Sequence, residues 1–61
     1  MNLHDKIVAL IKELEVEKEY YIHKYDEAEE KYDTAKQDYY IAKYYVVDDH
    51  LDKLKELVDY E

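Results

Sequence analysis

Three histidines, seventeen carboxylates and nine tyrosines are the residues of this chain that could do chemistry. Glu19, His23 and Asp26 or Glu27 recur at spacings of three and four, which puts them on one face of a helix. A histidine with two carboxylates can hold zinc or iron if a neighbouring helix adds ligands. Bundle carboxylate proteins place Glu-x-x-His on core-facing positions, however, and this chain has no such motif. His23 also lies away from the apolar positions, so a solvated charged face accounts for this set and no metal or cofactor is expected. Nucleophilic catalysis lacks its parts: there is no Ser, no Cys, one Thr and no glycine-rich phosphate loop. The sequence therefore predicts a protein that is not an enzyme.

The tyrosines follow helical spacing, and they read as the large apolar residue of this composition, with hydroxyls that reach an interface rim. Tyr25, Tyr32 and Tyr39 are expected in a core. Tyr20, Tyr40, Tyr44 and Tyr45 are expected to touch something else, because paired aromatics outside a seam are costly to expose.

All these groups must be positioned by helices. The chain contains no Gly and no Pro, which removes most tight turns and strand connections. Leu, Lys and Glu, all good helix formers, dominate. Asn2 is placed to cap a first turn, with Asp5 near the positive end of the helix dipole. From there an apolar series runs Leu3, Ile7, Leu10, Leu14, Tyr21, Tyr25, Ala28, Tyr32, Ala35, Tyr39, Ala42, Val46, Leu54, Leu57. Its steps, mostly of three and four, keep it in a stripe roughly 140° wide, interrupted at Glu17/Lys18 and at His50. In the middle, Lys24–Glu30 is repeated by Lys31–Gln37 and more loosely by Asp38–Tyr44, with Tyr and Ala three apart in each copy. A seven-residue repeat of this kind is a coiled-coil seam, in which Tyr supplies area and Ala lets backbones approach.

The fold class expected is all-α: one module over 1–61, built on a long amphipathic helix that self-associates as a coiled coil through that stripe. The alternative is a helical hairpin with a turn near Asp33-Thr34, where Thr34 and Gln37 fit a capping box, dimerising into a four-helix bundle. The stripe crosses that point without a change of phase, which favours a continuous helix through residues 20–46. A further break is conceivable at Val46-Val47-Asp48-Asp49. A second stripe, Tyr40, Tyr44, Val47, Leu51, Leu54 and Val58, lies about 100° round from the first. It is the expected surface for a further partner, unless a hairpin fills it internally.

Sixty-one residues bury little surface alone and no cysteine staples them, so association is the expected route to stability. A homo-oligomer, a dimer first, is predicted, with a protein partner beyond it. A net charge of −8 argues against direct binding of nucleic acid or anionic lipid. No run approaches the roughly 20 apolar residues of a membrane span and no signal peptide is visible, so a soluble cytoplasmic protein is expected. Lys without Arg and Tyr without Phe or Trp suggest an A/T-rich genome, of a bacterium or its phage. The function expected is a small acidic helical interaction or assembly module. The alternative is a nucleic-acid mimic, whose clusters Glu13/Glu15/Glu17/Glu19, Asp26/Glu27/Glu29/Glu30 and Asp48/Asp49/Asp52 occupy the basic groove of a target. His50, on the seam, is read as a residue that fixes register, or as a sensor charging at about pH 6.

Overall fold

The computed structural model describes residues 2–59 and contains two helices, α1 (Leu3–Glu30) and α2 (Thr34–Asp59). They pack side by side in a body of 45 × 17 × 11 Å, an arrangement that fits a helical hairpin. No described helix is long and apolar enough to cross a membrane.

α1 begins where the sequence places its cap. The Asn2 side chain accepts from the Asp5 amide at 2.8 Å, satisfying one of the donors the first turn leaves open. Its inward residues are His4, Ile7, Ile11, Leu14, Lys18, Tyr21, Tyr25 and Ala28, all buried or half-buried and spaced alternately by three and four. Ile11, together with Val8, Ile22 and Ile41, is half-buried although the expected stripe omits it.

The continuous helix favoured by the unbroken phase of the stripe is interrupted at residues 31–33. Tyr32 turns into the left-handed region with φ 56°, the one described residue without glycine's freedom to do so. Its amide donates to the Glu29 carbonyl at 3.1 Å and the Asp33 amide donates to Ala28 at 2.9 Å, the paired closure of a Schellman motif. Asp33 then caps α2, its carboxylate accepting from the Lys36 amide at 3.1 Å. The capping box expected at Thr34 and Gln37 is thus one residue late. Gln37 instead donates from Nε2 to the Ala28 carbonyl at 3.4 Å, tying the start of α2 to the end of α1. α2 runs unbroken through Val46-Val47-Asp48-Asp49.

The turn also resets the rotation of the second helix. α2 presents Gln37, Tyr40, Tyr44, Val47, Leu51, Leu54 and Val58 to α1, again spaced by three and four. Ala28, Val47 and Leu51 are the buried apolar residues of the described chain, and Leu51 keeps only 1% of its surface. The stripe reserved for a further partner is therefore covered by the chain's own first helix.

Candidate interaction surface

The Tyr-Tyr doublets show how the two faces of each helix divide. Tyr21, Tyr40 and Tyr44 are half-buried, whereas their neighbours Tyr20, Tyr39 and Tyr45 are exposed. Within each doublet the rings stand edge-on, with centroids 5.4, 5.1 and 5.6 Å apart. Tyr21 of α1 meets Tyr40 of α2 at 6.4 Å across the pair. Burial, and then the nearby Glu17 carboxylate, push the Tyr21 phenol above its ordinary value.

The two flanks of the pair differ in chemistry. On one, Lys18 Nζ donates to Asp48 at 2.6 Å and also lies 5.3 Å from the Tyr44 ring. That hydrogen bond raises the Lys18 ammonium above its ordinary value, the Asp48 charge adding to it and partial burial opposing it. On the other flank, Leu10, Leu14, His50, Lys53 and Leu54 line an open groove of about 330 Å³. Leu57 and Leu3 are exposed at the same end of the pair. Further along, the groove side turns polar and is lined by Lys24, Glu27, Ala28, Lys31, Asp33, Lys36 and Tyr40. The Glu27 charge beside Lys24 raises that ammonium as well.

The expected association stripe is therefore split by the turn. In α1, Ile7, Leu14, Tyr21, Tyr25 and Ala28 face α2, while Leu3 and Leu10 stay exposed. Tyr32, in the turn, and Ala35, Tyr39, Ala42, Val46 and Leu57, past it, are all exposed. By helical rotation, Ala35, Tyr39, Ala42 and Val46 lie on the outer side of α2, adjoining His50 and Leu57 at the groove. They form one strip of small and large apolar residues at steps of three and four. Lys53 belongs to the same surface and was not expected there; its i,i+3 spacing from His50 is the only signal.

No family model, curated protein or solved structure matches this chain. Its chemistry is legible only from its own residues.

Glu19, His23, Asp26 and Glu27 are all exposed, and among the described residues no three His, Asp or Glu converge to hold a metal ion. The carboxylate clusters are exposed too, apart from the half-buried Asp48. Tyr32, with 89% of its surface exposed, stands at the turn beside Asp26, Glu29 and Glu30.

Proposed function

We propose that this protein is a helical assembly module whose working surface is the apolar strip Ala35, Tyr39, Ala42, Val46 and Leu57 with the adjoining leucine groove. The observation that carries the reading is that strip, open on a chain that is otherwise densely charged. Its alternation of Tyr or Val with Ala is what a second helix needs to seat closely.

Ala35→Glu tests the reading, because position 35 is exposed and the substitution leaves the packing of α1 on α2 untouched. Sedimentation should show an oligomer for the wild type and a monomer for the variant, with helicity by circular dichroism unchanged. An unchanged mass would remove the strip from the reading.

The exposed Glu29 and Glu30 beside Tyr32 favour a second reading, an acidic body that occupies a basic groove. Under it, reversing those two charges abolishes function while Ala35→Glu does not, and binding weakens steeply with salt.

A further inference from the structure

The helix pair is a slab, 45 Å long, 17 Å wide and 11 Å thick, so the grooves on either side of it are its two broad faces. One face has a leucine floor, Leu10, Leu14 and Leu54, with Lys53 beside it and Lys24, Lys31 and Lys36 nearer the turn. By helical rotation Lys6 and Lys43 join that side, as do Tyr39, Val46 and Leu57 of the exposed strip. The opposite face is lined by Glu15, Glu19, Ile22 and Tyr44. Rotation adds Val8 and Ile41, both half-buried, to its floor, and Asp26, Asp48, Asp52 and Asp59 to its edges.

Charge is thus sorted between the faces. Six of the nine lysines stand on the leucine side; Lys12, Lys18 and Lys55 stand on the other, among most of the carboxylates. The leucine side has acids of its own. Glu13 and Glu17 edge it, and Glu27, Asp33 and Asp49 lie 3.5, 4.0 and 3.0 Å from Lys24, Lys36 and Lys53. Even so, its lysines outnumber its carboxylates on a chain whose net charge is −8. Salt screens charge over about 8 Å, less than the slab and its side chains are thick, so a partner at either face meets the sign of that face. Two copies meeting through the same face would bring lysine edges together, or carboxylate edges together. Unlike faces set lysines against carboxylates over two apolar floors.

We infer that the partner is a second copy of this chain presenting its other side: the leucine and lysine face of one copy seats on the isoleucine and carboxylate face of the next. Such a contact is heterologous, so each copy keeps one face open for a further neighbour and assembly continues past two chains. This rests on the assembly reading above and names the surface that covers the strip.

Reversing charge on one face at a time tests it. Lys43→Glu with Lys53→Glu alters the leucine side, and Glu15→Lys with Glu19→Lys alters the other; all four positions are exposed. Sedimentation should find wild-type species larger than a dimer. Each double variant alone should lose affinity on the order of a hundredfold, with helicity by circular dichroism unchanged, and an equimolar mixture of the two should assemble again. Replacing Glu15 and Glu19 by lysine takes the net charge from −8 to −4, so general repulsion would predict tighter assembly for that variant, not weaker. A wild type that stays monomeric overturns self-association altogether. A wild type that stops at two chains, or one whose mass ignores the change at Glu15 and Glu19, keeps the assembly reading and overturns this contact.

Discussion

At the scale of single residues, charge on the helix pair is arranged locally. Lys18 sits at an inward position where an apolar residue would be usual, and its ammonium donates a hydrogen bond to the Asp48 carboxylate across the pair. The raised Lys18 value gives that contact a definite pH signature. A basic group held higher in the folded state stabilises fully below its unfolded value, ordinarily 10.5, and the contribution fades as pH rises through the folded value. Both side chains are about a third exposed, so the pair is worth only ~0.2–1 kcal/mol. Comparing wild type with Lys18→Met cancels the tyrosines that titrate in the same region. The stability difference in urea melts should be constant from neutral pH to about pH 10 and close above it. A difference that widens on going alkaline would contradict the assignment.

At the scale of elements, the turn is where sequence and backbone disagree most. A Schellman closure ordinarily places glycine at its left-handed position, and here Tyr32 holds φ 56° with its ring in solvent. Tyr32→Gly should therefore stabilise the pair by about 0.5–1 kcal/mol, the relief of the Cβ outweighing the extra freedom of the unfolded chain. A chain of this size would gain several degrees in melting temperature. A fall would mean that the tyrosine ring contributes a contact of its own. The cap at Asp33 was nearly legible, since acid and hydroxyl residues cluster there. The missing glycine and the unbroken phase of the stripe hid the turn itself, because both argue for a helix that continues.

At the scale of the whole molecule, two helices alone make a thin core. Leu51 is its most enclosed side chain, and Val47 and Ala28 are the other buried residues of the described chain. Truncating Leu51→Ala removes the central contact and should cost ~2–5 kcal/mol, a large share of what so small a chain can hold. Thermal melts should show the cooperative transition lost or displaced far downwards, whereas the same change at exposed Leu3 should shift it little. Association would add apolar burial that the pair lacks, so the melting temperature of the wild type should also rise with protein concentration.

What the sequence determined by itself was local: helical content, the Asn2 cap, the acidic surface, and the existence of two apolar stripes in the second half. Those follow from propensity, capping chemistry and periodicity, which act within a turn or two of helix. Which stripe faces inward was decided only by the tertiary structure. Periodicity fixes positions relative to one another along a helix, but it carries no absolute rotation across a break. Once Tyr32 enters the left-handed region, α2 restarts with a new azimuth. Val47 and Leu51 then turn towards α1, and Tyr39 and Val46, in phase with the α1 core by sequence alone, are left facing out.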